Sequence, residues 1–212
     1  MLAATNGFEG FPAEAFTFFD QLARNNEREW FQARKDLYER SCREPMKRLV
    51  AALGVDPADA RISRINRDLR FSPNRAPYKT YIAAGVNGHY ISLSAAGLFV
   101  GLGLYRPDGP VLARYRSAVD DQASGRALEK IVASLQRKRY QVDTHERLAS
   151  VPRGYAADHP RLDLLRMKGL YAGKTFEPAR WLATPRAVDR VEQVMADVKP
   201  LGEWLRAHVN FA

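Results

Sequence analysis

Six cationic side chains crowd into nineteen residues of this chain: Arg61, Arg64, Arg67, Arg70, Arg75 and Lys79. A single carboxylate, Asp68, shares that window. Ile62, Ile65, Leu69 and Phe71 stand among the charges, and such side chains favour burial. Arginine presents a planar fork that grips a carboxylate or phosphate through two parallel hydrogen bonds. A local charge of +5 tied to apolar residues is therefore a candidate anion site. Its candidate ligand-binding residues are Arg64, Arg67, Arg70, Arg75 and Lys79. Asp68 can orient a neighbouring arginine or act as a base, and Tyr78 can orient the ligand or move a proton. The plain alternative for Asp68 is an ion pair. Ser72-Pro73-Asn74 reads as a turn, and Pro77 keeps Ala76 extended, which brings Arg70 and Lys79 towards each other.

Other chemistry-bearing residues are more scattered. His159, in Asp158-His159-Pro160, is a third candidate catalytic group, although its Pro- and Gly-containing loop favours an anchoring histidine. His89, His145 and His208 have no partner at metal-ligand spacing. Cys42 is the single cysteine, so neither a disulfide nor a metal site is expected. Gly101-x-Gly103 lacks the third glycine of a dinucleotide fingerprint and lies inside a strand pattern, so no cofactor is expected. Ser92, Ser94 and Ser117 show no nucleophile-elbow context. Arg106, Arg114 and Arg116 face either the same site or solvent.

The elements that position these residues follow from periodicity. Pro12 and Glu14 mark a helix start, and Ala15, Phe18, Phe19 and Leu22 recur at helical spacing to an end near Asn25-Asn26. Asn26 and Glu29 have the spacing of a capping box for a second helix, lined by Trp30, Phe31, Leu37 and Tyr38. Pro45 opens a further helical stretch that Gly54 stops. Then the pattern changes. Lys79 to Val86 is β-rich, Asn87-Gly88 is a hairpin turn, His89 to Leu93 alternates, and Leu98 to Tyr105 is a third strand. Gly101 and Gly103 on one face suggest close approach by a helix, another backbone or a ligand. Helices follow at 111–119 and 124–137, short strands at 140–142 and 169–176, and a terminal helix after Pro185 with Pro200 inside it. The predicted fold class is α+β: an antiparallel meander sheet covered by N-terminal and C-terminal helices.

The whole composition sets the limits. The 212 residues carry 33 Lys and Arg against 24 Asp and Glu, a net +9, with 46% apolar residues. That balance excludes a disordered chain, and the length fits a single domain over 1–212. No targeting segment and no run of the ~20 apolar residues that a spanning helix needs is present, so no membrane partner and a cytoplasmic location are expected. The charge is not spread evenly. Residues 1–60 are net −2, the window 61–79 is net +5, and 151–180 is net +3.

The window also resembles the hallmark of a bacterial family of conserved hypothetical proteins, domain of unknown function 2461. That hallmark is Arg-x-x-Arg-Asp-x-Arg-Phe followed by Asp or Asn, Lys and a Tyr three residues on. Arg64, Arg67, Asp68, Arg70, Phe71, Asn74 and Tyr78 match it. Arg75 stands where the family usually has Lys, which keeps the charge and alters the shape. Asn25-Asn26 with Glu29-Trp30-Phe31, Pro77-Tyr78-Lys79-Thr80, Gly101-x-Gly103-x-Tyr105 and Asp158-His159-Pro160 extend the likeness over most of the chain. The resemblance implies no activity.

Three functions fit these residues. The first is a binding site, or an enzyme centre, for a small phosphate- or carboxylate-bearing molecule. In an enzyme the arginines would stabilise developing negative charge. The second is a nucleic-acid-binding module, favoured by the basic pI near 9.8 and by Phe71, Tyr78 and Tyr81 beside the cations. The third is an internal ion network in which the arginines find Glu27, Glu29 or Asp36.

Overall fold

The structure is a computed structural model that describes residues 7–68 and 76–210. Helices α1 (Ala13–Arg24), α2 (Arg28–Gln32), α3 (Lys35–Tyr38) and α4 (Glu44–Ala52) open the chain. Strands β1 (Arg61–Ile62), β2 (Tyr81–Val86), β3 (His89–Ser94) and β4 (Gly97–Leu104) follow. Helices α5 (Gly109–Asp120) and α6 (Gln122–Arg137), strand β5 (Gln141–Asp143), helix α7 (Leu162–Leu165), strand β6 (Leu170–Phe176) and helix α8 (Arg186–Val209) complete it. The six strands form one antiparallel sheet in the order β1-β2-β3-β4-β6-β5. The fold is α+β, with N-terminal and C-terminal helices packed on the sheet. By contacts the chain divides into two compact units, Met1–Val100 with Thr175–Gln193 and Gly101–Lys174 with Val194–Ala212.

In the first unit, α1 buries Phe18, Phe19 and Leu22, the helical stripe of its sequence, and packs on β3 while α4 packs on β2. Asn87 and Gly88 both take positive φ, 48° and 77°. A two-residue turn of that kind matches the strand twist and fixes the hairpin register. The register pairs Ile82 with Leu93 and Ala84 with Ile91, and all four are buried. Gly54 closes α4 at φ 77°. There the Gly54 N–H donates to Ala51 O and the Val55 N–H to Val50 O, the double bond of a Schellman end. Two boundaries differ from the sequence pattern. A π-helical turn at Glu39–Arg43 joins α3 to α4, so Pro45 lies within a continuing helical run. Glu27, not Asn26, precedes α2, and no side chain caps that helix.

The second unit shows why Gly103 is a glycine. Its φ is 146°, and a Cβ there would lie 2.2 Å from Leu170 O. Of the three causes open to the glycine pattern, the neighbouring backbone of β6 is the one found at Gly103. Asp108 and Asp121 cap α5 and α6 with their Oδ1 atoms, which accept from Val111 N and from Ala123 N and Ser124 N. The Trp204 Nε1–H of α8 donates to Ser124 O at 2.9 Å, and the Tyr115 hydroxyl donates to Leu164 O at 3.1 Å. Helix α8 runs through Pro200. No helix among the described residues is long and apolar enough to cross a membrane.

Candidate functional site

The cationic window is held by an interrupted antiparallel ladder. Arg61 pairs with Gly85 and Ile62 with Ala84, and the Ser63 N–H continues to Ala83 O at 2.7 Å. Further on the register changes. The Lys79 N–H donates to Ile65 O at 2.8 Å, and the Arg67 N–H donates to Pro77 O at 2.9 Å. Between those rungs, Thr80, Tyr81 and Ile82 stand opposite Arg64 alone. Arg64 O then lacks a ladder partner and accepts instead from Lys79 Nζ at 3.0 Å. A backbone carbonyl needs such a replacement when its rung is lost.

Asn26 and Phe31 fasten the far side of this ladder. The Asn26 side chain donates from Nδ2 to Tyr78 O at 2.9 Å and accepts from the Tyr78 N–H at 2.9 Å. Its amide thus acts as one more strand residue, which is why it does not cap α2. The Tyr78 ring is buried and stacks on Phe31 with centroids 4.2 Å apart and planes 25° apart. The matched motif residues Asn26, Phe31 and Tyr78 therefore form one mechanical joint. Among the helix residues, Trp30 is half-buried and carries the Arg34 guanidinium 4.4 Å above its ring.

Among the described residues, no carboxylate lies within ion-pair distance of Arg61, Arg64, Arg67 or Lys79. Glu27, Glu29 and Asp36 are not their partners. Burial first, and then the Arg64 and Arg67 guanidiniums, hold the Lys79 ammonium below the ordinary lysine range. Asp68 is exposed at the end of the described segment. Arg70, Arg75 and the turn expected at Ser72-Pro73-Asn74 lie outside the described residues.

His159 belongs to the second unit, where its two ring nitrogens are already engaged. Nε2 lies 3.1 Å from Asp120 Oδ1, and Nδ1 accepts from the Arg161 N–H at 3.0 Å. That set fixes the Nε2–H tautomer. Beside it Arg161 is only 8% exposed. Its Nε donates to Val119 O at 2.6 Å and its Nη2 to Asp120 O at 2.8 Å, while Nη1 lies 3.7 Å from Glu129. Gly125 leaves the space, because a Cβ there would lie 2.5 Å from Arg161 Nε. A glycine inside a strong helical pattern is the one sequence signal of this clasp. Arg114 and Arg116 also hold carbonyls, donating from Nε to Val209 O and to Leu165 O at 3.2 Å each.

An α+β protein whose sheet edge carries clustered cations beside an asparagine–tyrosine joint is the class defined by these features. Within that class, the family model of the conserved hypothetical proteins DUF2461 matches residues 14–204, and the chain belongs to that family. No curated protein and no solved structure matches it.

Proposed function

We propose that the window 61–79 is a binding site for a small phosphate- or carboxylate-bearing molecule. Arg64, Arg67 and Lys79 supply the described donors, and Arg70 and Arg75 complete the set by sequence. The observation that carries this reading is the gathering of three cations on a fixed ladder with no carboxylate in reach among the described residues. Like charges held together weaken each other's ionised state, and an oxyanion between them reverses that cost. Asp68 and Tyr78 are the groups that would orient the ligand or move a proton. Tyr78 contributes through a position fixed by Asn26 and Phe31.

Calorimetric titration with nucleotides, sugar phosphates and polyphosphate tests the reading. A saturable ligand is expected, with affinity falling about tenfold in Arg64→Ala and again in Arg67→Ala, the size of one charged hydrogen bond. Unchanged affinity in both variants overturns it. Salt separates the ligand classes. A small anion gives a shallow dependence, whereas a nucleic acid contacting several phosphates gives a steep one.

A further inference from the structure

A second cationic place lies wholly within the second unit. A pocket of about 370 Å³ is lined by Arg106, Pro107, Leu112, His145, Glu146 and Lys168, a volume in the range of small-molecule sites. Its walls come from the β4–α5 connection, from the start of α5 and from two paired extended segments. In that pair the Lys168 N–H donates to Glu146 O at 2.9 Å and the Leu148 N–H to Arg166 O at 2.8 Å. This pairing sets Glu146 opposite Lys168, and the two form an ion pair. The charge of Lys168 is thus met within the wall, and that partner, with His145 and Arg106 behind it, holds the Glu146 carboxyl below the ordinary range.

Two further donors in the same pocket, Arg106 and His145, stand in the field of Glu146 without a hydrogen bond to it. Arg106 is exposed, and among the described residues no carboxylate lies within ion-pair distance of it. Its guanidinium sits 5.6 Å from the ring of Tyr105. His145 is nearly enclosed, with its side chain 13% exposed and Nε2 3.9 Å from Glu146 Oε2. Its Nδ1 is buried with no hydrogen-bond partner. A buried polar nitrogen left unmet is costly. Tyr105, 59% exposed, stands 5.5 Å from the His145 ring and 6.2 Å from Tyr171, an unusual exposure for a large aromatic surface.

We propose that this pocket binds a small organic oxyanion, its carboxylate or phosphate head held by Arg106 beside the His145 ring and its apolar body laid against Pro107 and Leu112. The guanidinium fork suits either head. The apolar wall asks for a carbon skeleton rather than a bare inorganic ion.

The test uses the full chain, with benzoate, phenyl phosphate and inorganic phosphate as probes. Binding is followed by the ring carbon–proton resonances of His145 and by calorimetry. At least one aromatic anion is expected to saturate a His145 shift, and which one does so identifies the head group. Its affinity should fall about tenfold in Arg106→Ala and stay unchanged in the Arg64→Ala/Arg67→Ala double variant. Arg106 is exposed, so its removal leaves the fold intact, checked by the melting temperature. Failure of both aromatic anions to saturate the His145 shift overturns the proposal. So does unchanged affinity in Arg106→Ala, and so does inorganic phosphate binding as tightly as phenyl phosphate. Loss of binding in the double variant alone places the ligand in the window 61–79, which overturns this site and supports the other.

Discussion

In the first unit Arg64, Arg67 and Lys79 are gathered on a ladder with no carboxylate in ion-pair reach among the described residues. In the second, Arg161 is buried and all three of its side-chain nitrogens meet an oxygen, those of Val119, Asp120 and Glu129. Both regions are arginine chemistry, yet their energetics differ in sign. A buried guanidinium held by two carbonyls and a nearby carboxylate ties distant segments together, and breaking it strands polar groups in the interior. A cluster of cations with no carboxylate in ion-pair reach among the described residues adds repulsion to the folded state, which an arriving anion would relieve. Arginine count alone does not separate the two cases. Partners do.

The largest expected effect comes from breaking the clasp. Arg161→Ala should lower unfolding stability by about 3 kcal/mol, since it leaves the buried Val119 carbonyl and the part-buried Asp120 carbonyl unmet. Gly125→Ala should act on the same group from the other side, because its methyl would stand 2.5 Å from Arg161 Nε. Overpacking of that kind costs about 1–3 kcal/mol. Urea unfolding measures both, and neither should change anion affinity in the window 61–79. An Arg161→Ala protein of unchanged stability would remove the contrast.

Next comes the joint that serves both stability and site. Asn26→Ala removes two hydrogen bonds to the Tyr78 backbone. About 2 kcal/mol of stability should go with them. Anion affinity should fall as well, since Lys79 follows Tyr78 directly. Stability lost with affinity intact would show that the ladder holds its register without Asn26.

His159 sharpens the comparison from the second unit. His159→Ala should cost about 1 kcal/mol, the worth of an ordinary hydrogen bond, through loosening of Asp120 and of the Arg161 backbone. It should leave anion affinity unchanged. A fold of full stability with affinity lost would return His159 to the ligand.

These effects also mark what the chain's residues reveal unaided. The helix stripe Phe18, Phe19, Leu22 and the Asn87-Gly88 turn are local signals, and both give the correct elements. Glycine at 103 announces a close approach, and the partner, the β6 backbone, is a matter of sheet order that no local pattern carries. Asn26 has the spacing of a cap yet serves Tyr78, fifty-two residues away. Local chemistry offered a cap, and a long-range backbone pairing satisfied the amide better. The cations of the window are plain in the sequence, whereas the lack of a carboxylate within ion-pair reach of Arg64, Arg67 and Lys79 among the described residues is visible only in three dimensions. Arg161 is the opposite case. Nothing in Pro160-Arg161-Leu162 announces a buried guanidinium, because its partners are backbone carbonyls, which every residue has.

The smallest effect is the titration of Lys79, and it reads the window most directly. Burial is the largest cause of its lowered value, followed by Arg64 and Arg67. Between that lowered value and the ordinary lysine value of about 10.4, the unfolded chain keeps a proton that the folded chain has released. The unfolded state then binds more protons, so stability rises with pH across that interval and is flat on either side of it. The charged ammonium is therefore a destabilising contribution, fully present below the folded value and gone above the unfolded one. Lys79→Gln should abolish that slope. Nuclear magnetic resonance of the Lys79 side chain should show titration below the ordinary range. Arg64→Ala or Arg67→Ala should move it up part of the way, because burial remains in either variant. A bound phosphate should raise it further by supplying the missing negative charge. An ordinary Lys79 value that neither arginine variant nor ligand moves would mean that the three cations do not share a field, and the window would then be a solvated basic edge rather than a site.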